Sequence, residues 1–224
     1  VRAFIQQKFD KAGGNRRFFY HGPMFRYERP QKGRLRQFHQ FGAESFGESD
    51  VREDATIILM IRAMFEALGI GFSLEINSLG CPACMPQYRT TLVKFLETHE
   101  GLCEDCERRK LNNPIRVLDC KNEHCKTLLS DAPLIVDHLC STCKDDFETL
   151  KGILDQFGVS YVVNPKLVRG LDYYSKTAFE FVSNEIGAQS AIAGGGRYDR
   201  LVEFLDGKST PAIGFAMGIE RLME

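Results

Sequence analysis

Apolar residues recur along this chain with two periods, and the switches between them mark its elements. The opening VRAFIQQKF has helical spacing and stops at Gly13 and Gly14, which predicts a helix. Residues 18–47, FFYHGPMFRYERPQKGRLRQFHQFGAESFG, read as two aromatic-rich strands joined by a loop over residues 30–36 that carries Pro, Gly and three cations. Side chains alternate across a strand, so Gln40, Gly42 and Glu44 share one face while His39, Phe41, Ala43 and Ser45 share the other. On the first run Met24, Arg26 and Glu28 lie opposite Phe25 and Tyr27. Asp50 with Glu53 resembles a capping box, and Ile57, Ile58, Ile61, Met64, Phe65 and Leu68 then recur at helical spacing as far as Gly69. GFSLEINSLG returns to period two, with Phe72, Leu74 and Ile76 against Ser73, Glu75 and Asn77. Helical patterns cover residues 86–99 and 141–157, the second carrying Phe147, Leu150, Leu154 and Phe157. VSYVV reads as a strand, Thr177, Phe179 and Phe181 alternate with Ala178, Glu180 and Val182, and PAIGFAMGIERLME closes as strand then helix.

A length of 224 residues with 43% hydrophobic content suits one large domain or a domain with a sizeable insertion. No run approaches the roughly 18 apolar residues of a membrane span, and the start lacks a signal-peptide core, so the expected location is the cytoplasm, with no membrane partner. A net charge of −1 argues against a protein that coats nucleic acid indiscriminately. The charge is unevenly spread. Residues 16–36 hold seven Lys/Arg against Glu28 alone, a net +6, which suits a polyphosphate or a nucleic-acid end. The plainer account, a solvated hairpin, leaves the Gln and Glu at strand spacing beside a small Gly unexplained.

All eight cysteines fall between residues 81 and 143. Cys81/Cys84, Cys103/Cys106 and Cys140/Cys143 have C-x2-C spacing and Cys120/Cys125 is looser. Two C-x2-C turns complete a tetrahedral zinc site, and the other reading is buried thiols used as small hydrophobes. The spacing leaves open which pairs combine. Four thiolates would leave no vacant position for substrate, so any such zinc is structural. Residues 78–150 carry nine Lys/Arg and twelve Asp/Glu, so charge does not mark this region as an RNA binder.

The run FRYERPQKGRLRQFHQFGAE resembles motif 2 of the class II aminoacyl-tRNA synthetases in its histidyl-tRNA synthetase form, without a gap. LVRGLDYY resembles the histidine A motif peculiar to that family, and the final PAIGFAMGIERLME resembles motif 3. The resemblance implies an α+β fold, an antiparallel β-sheet flanked by helices with an inserted helical Cys-rich subdomain. It divides the chain into catalytic core over 1–79, insertion over 80–157 and catalytic core again over 158–224. It implies a ligase that activates L-histidine with ATP and Mg²⁺ and charges tRNA(His), reached at its acceptor stem by the insertion. Carried over by position, Arg169 is the catalytic residue, bridging the substrate carboxylate and the α-phosphate. Gln40, Glu44, Tyr173 and Tyr174 hold histidine, and Arg26, Arg34 and Arg221, with Gly195 in the glycine-rich floor, hold ATP. No acids are singled out for the metal.

The resemblance also implies a preceding segment with the dimer-forming motif 1 and a following anticodon-binding domain, a homodimer for the full-length protein, and weak or no activity for this chain by itself. Two readings compete. A regulatory subunit of ATP phosphoribosyltransferase resembles these enzymes but tends to lose the catalytic arginine, which stands here as Arg169. A zinc-stabilised RNA-binding fragment would rest on the cysteines alone.

Overall fold

The structure, a computed structural model, describes residues 1–27, 35–168, 173–183 and 191–223. The expected opening helix is broken into α1 (Arg2–Gln6) and α2 (Phe9–Ala12), because Lys8 turns into the left-handed region at φ +58°. Phe4 and Phe9 would stand about 140° apart around an unbroken helix. The break lets both rings pack on Phe18, with Phe4 also stacked on Phe46 at 4.1 Å.

The hairpin forms as β1 (Arg16–Phe25) and β2 (Gln37–Phe46), antiparallel from Arg16 opposite Phe46 to Phe25 opposite Gln37. Next comes α3 (Val51–Leu68), whose Ile58, Ile61 and Phe65 are wholly buried. Only half of the expected capping box is made. The Asp50 carboxylate accepts the Arg52 N–H at 2.8 Å, but the Asp50 N–H donates to Glu48 at 3.0 Å. Glu53 instead takes a two-pronged contact from Arg17 of β1, at 2.8 and 2.6 Å. A guanidinium fork outbids a single amide for a carboxylate, and it ties the helix to the sheet.

After β3 (Ser73–Ser78) come α4 (Met85–Glu97), α5 (Glu104–Asn112), α6 (Glu123–Leu128) and α7 (Ser141–Gln156). The chain then returns through β4 (Tyr161–Val163), β5 (Ser175–Val182), β6 (Ala191–Arg197), α8 (Leu201–Phe204), β7 (Ala212–Gly218) and α9 (Ile219–Met223). The described strands make one seven-stranded sheet in the order β1-β2-β7-β6-β5-β3-β4. Every pairing is antiparallel except β3 with β4 at the edge.

One hydrophobic cluster packs α3 and the second half of α7, through Phe147, Leu150 and Leu154, on the sheet. A separate cluster lies among α4, α5 and α6 and takes in six buried or half-buried cysteines besides Cys143 of α7 and Cys84 before α4. Arg197 of β6 is wholly buried and paired with Asp54 of α3. It also donates to Asp199 at 3.0 Å and to the Glu48 carbonyl at 2.9 Å. Burying a guanidinium is tolerable only with this degree of pairing, and here it locks the start of α3 to the middle of the sheet.

Candidate active site

Antiparallel partners point to the same side of a sheet, so the polar face begun by Gln40 and Glu44 of β2 can be followed from strand to strand. It runs through Tyr20 of β1, Gly214, Ala216 and Gly218 of β7, Gly194 and Gly196 of β6, and Glu180 of β5. Glycine and alanine fill its centre; Tyr20, Tyr174 and Glu44 lie over Gly42, Gly196 and Gly214, while Gly194, Ala216 and Gly218 line a cavity where a ligand could lie close to the backbone.

At one end a cavity of about 270 Å³ is lined by Arg26, Gln40, Glu180, Gly194, Gly218 and Arg221. The Arg26 guanidinium lies over the Phe38 ring at 4.1 Å and donates through Nε to the Leu35 carbonyl at 2.7 Å. Arg221 of α9, also lining the cavity, donates to the Ala191 carbonyl at 2.6 Å. Two cations thus face a pocket floored by glycine. Glu220, the neighbour of Arg221, accepts from His39 through the backbone at 2.8 Å and the ring at 2.9 Å, which fixes α9 against β2.

Glu44 sits two alternations further along β2, about 13 Å from Gln40 by strand rise. Its carboxylate accepts from the Tyr198 hydroxyl in a short hydrogen bond and from Tyr20 at 3.5 Å. It lies flat over Gly214, where a Cβ would collide with it. Burial pushes the Glu44 carboxyl up, while the Tyr198 and Tyr20 hydroxyls pull it back. Burial and the neighbouring carboxylate together raise both tyrosines well above their ordinary value, so they remain donors. Tyr173 and Tyr174 pack on each other at 4.6 Å and edge-on against Tyr198 at 6.0 and 6.2 Å.

The structure therefore gathers Arg26, Gln40 and Arg221 at one end of the face, and Glu44, Tyr173 and Tyr174 at the other. Gly195 is on the reverse side of β6, where a Cβ would meet Phe179 and Phe215 of the core; Gly194 and Gly196 face the site. Arg34 and Arg169 lie outside the described residues. Tyr20 and Tyr198 were not singled out from the sequence. Continuing the alternation from Met24 through Gly22 would have reached Tyr20, whereas Tyr198 follows a glycine run that draws attention to its backbone.

The cysteines sort into two sets, Cys81, Cys84, Cys140 and Cys143, and Cys103, Cys106, Cys120 and Cys125, each with its sulfurs within 4.8 Å of one another. Sulfurs about 2.3 Å from a tetrahedral ion are about 3.8 Å apart. Cys81 lies 3.7 Å from Cys84 and 3.8 Å from Cys140, and Cys103 lies 3.8 Å from Cys120. Backbone N–H groups point at sulfur from Cys140 to Cys84 at 3.1 Å and from Cys103 to Cys125 at 3.2 Å. The Cys103 thiol is held down to about 7, first by the backbone N–H of Cys106. Cys81 also falls to about 7, where backbone N–H groups of Ala83 and Cys84 outweigh burial. Either set could hold a metal ion.

Among known proteins, the family model described as histidyl-tRNA synthetase matches residues 2–86 and 99–222. A histidine–tRNA ligase of Sulfurimonas denitrificans is 67% identical over 225 residues, covering 100% of this chain and 56% of that protein. The chain thus spans about half the length of the curated relatives it matches. The apo histidyl-tRNA synthetase structure from S. aureus superposes with a TM-score of 0.78 at 38% identity, over 99% of this chain and 54% of that one. An ATP phosphoribosyltransferase regulatory subunit/histidyl-tRNA synthetase from Bacillus halodurans has a TM-score of 0.63 at 18% identity, over 98% and 60%, a likeness of fold alone.

Proposed function

The chain belongs to the histidyl-tRNA synthetase family, and from that premise we propose that it forms the catalytic core of a histidine–tRNA ligase. The histidine carboxylate attacks the α-phosphorus of ATP and pyrophosphate leaves; a terminal hydroxyl of tRNA(His) then attacks the carbonyl of the adenylate and AMP leaves. The observation that carries this reading is the polarity of one sheet face, with Arg26 and Arg221 at one end and Glu44 among tyrosines at the other.

Two anions must be brought together, and charge spreading over the phosphate oxygens must be met by oriented cations. Arg26, Arg34 and Arg221 hold the phosphates of ATP, with Mg²⁺ supplying further neutralisation when bound, and the site-facing Gly194 and Gly196 floor the adenosine in place of Gly195, which turns to the core. Arg169 bridges the two reacting anions. Gln40, on the side of the cations, accepts from the ammonium of histidine and Glu44 from its imidazole, with Tyr173 and Tyr174 as the aromatic wall. A site built from paired polar groups rejects analogues that leave those groups buried and unpaired.

Residues 80–157 form the insertion between the two parts of the core at 1–79 and 158–224; its α4, α5 and α6 reach the acceptor stem, while the second half of α7 packs back on the sheet. The full-length protein works as a homodimer in the cytoplasm. The cysteine sets hold structural zinc, the ion whose tetrahedral thiolate preference fits their spacing. The names of the similar sequences support a ligase over a regulatory subunit of ATP phosphoribosyltransferase.

The test is histidine-dependent ATP–pyrophosphate exchange by the protein carrying this chain at the full length of its relatives. Arg169→Ala should slow adenylate formation about 10²–10³-fold and alter histidine binding less. A folded parent without exchange overturns the ligase reading, while an unchanged adenylation rate with only a raised histidine KM reduces Arg169 to a binding residue.

A further inference from the structure

The two cysteine sets connect different parts of the molecule. Cys103, Cys106, Cys120 and Cys125 all lie within the segment between β3 and α7, so an ion there closes that segment on itself. Cys81 comes three residues after the end of β3, and Cys140 and Cys143 stand at the start of α7. An ion held by Cys81, Cys84, Cys140 and Cys143 therefore joins the point where the chain leaves the sheet to the point where it comes back.

Both sides of that junction converge on Lys176. The Lys176 N–H donates to the Gly80 carbonyl at 2.6 Å, and the Leu79 N–H donates to the Lys176 carbonyl at 2.6 Å. Lys176 Nζ donates to Asp146, three residues beyond Cys143, at 2.9 Å. Lys176 is held at φ +51°, and the pairing of β5 with β6 slips between Ser175 and Ala178. A lysine persists in the left-handed region where its surroundings over-determine it. Gly80 is itself at φ +65°, and a Cβ there would come within 2.9 Å of the Cys84 Cβ, so the turn that delivers the cysteines to the strand end requires glycine. Two and three residues before Lys176 are Tyr174 and Tyr173.

We propose that Cys81, Cys84, Cys140 and Cys143 bind one zinc ion that serves as a clasp. Through Gly80 and Asp146 it fixes the backbone at Lys176, and so keeps Tyr173 and Tyr174 against Tyr198 at the site, whereas a second zinc ion at Cys103, Cys106, Cys120 and Cys125 stabilises the helical segment alone. This rests on the zinc reading above and adds a division of labour between the two ions. Lys176 and Asp146 are positioning residues.

Metal analysis of the chain purified without added metal should return two zinc ions, one for each cysteine set. Cys103→Ser/Cys106→Ser and Cys140→Ser/Cys143→Ser should each retain one. Hydrogen exchange read by mass spectrometry then separates their roles. Exchange over residues 173–180 should rise about tenfold or more in Cys140→Ser/Cys143→Ser and stay within about twofold of the parent in Cys103→Ser/Cys106→Ser. Asp146→Asn should keep both ions and still raise exchange over residues 175–177. A parent without zinc overturns the metal sites. Two bound ions with unchanged exchange in both Cys140→Ser/Cys143→Ser and Asp146→Asn overturn the clasp and leave the sites standing. Should the double serine variant fail to fold, Asp146→Asn decides the clasp, since it touches no sulfur; and none of these readouts depends on ligase activity.

Discussion

Glu44 is a carboxylate kept half out of water, and its two tyrosine donors hold it in one orientation before any ligand arrives. Replacing it with Gln keeps the shape and removes the charge. In the full-length protein Glu44→Gln should raise the histidine KM by about 10–100-fold, from the loss of a charged acceptor, and change kcat less. Pyrophosphate exchange against histidine concentration measures this, and an unchanged KM would remove Glu44 from histidine recognition. The alternation of β2 made Gln40 and Glu44 legible as one face, because a period of two needs no long-range information. Tyr198 was hidden because its partner Glu44 stands 154 residues earlier in the chain. Gly195 shows the complementary difficulty. In a run of three glycines nothing in the sequence says which of them turns to the site, and the register with β7 decides it.

α3 and the second half of α7 follow from local pattern, since each buries a stripe that its own sequence defines, and the hairpin follows from its two alternating runs about a polar loop. The broken first helix and the half-made cap do not, because each answers to a partner on another element, Phe18 in one case and Arg17 in the other. The Arg17 contact carries a pH signature. Hydrogen bonding from Arg17 holds the Glu53 carboxyl below its ordinary value of 4.5. A depressed carboxyl contributes stability that is present above the ordinary value and is lost as pH falls through the lowered one. Arg17 is 68% exposed, so screening by solvent keeps the contribution small. Urea midpoints from about pH 6 down to about pH 3 should therefore fall less steeply in Glu53→Gln than in the parent. Parallel profiles would show that the pair does not couple to folding.

Among the described residues the two largest hydrophobic clusters are joined by α7, which runs from one into the other. The smaller is built largely around cysteine, so metal binding there is also folding free energy. A strong chelator should split thermal unfolding followed by circular dichroism into two steps, the helical segment melting first and the sheet later. One transition at an unchanged temperature would mean that packing alone sustains the segment. Which cysteines combine was beyond reach of the sequence, because Cys81 and Cys140 are brought together by β3 and α7 and not by spacing. The strand order has a consequence during synthesis. β2 is an interior strand, yet the neighbour that covers its second edge is β7, with Gln40 opposite Gly218. At about 5–20 residues per second a ribosome needs roughly 9–36 s to bridge that interval. Through that time the nascent hairpin offers an unpaired, aromatic-rich edge, so its exposure to misassembly lasts until β7 emerges, and slowed elongation or an early stop before β7 would leave an aggregation-prone chain.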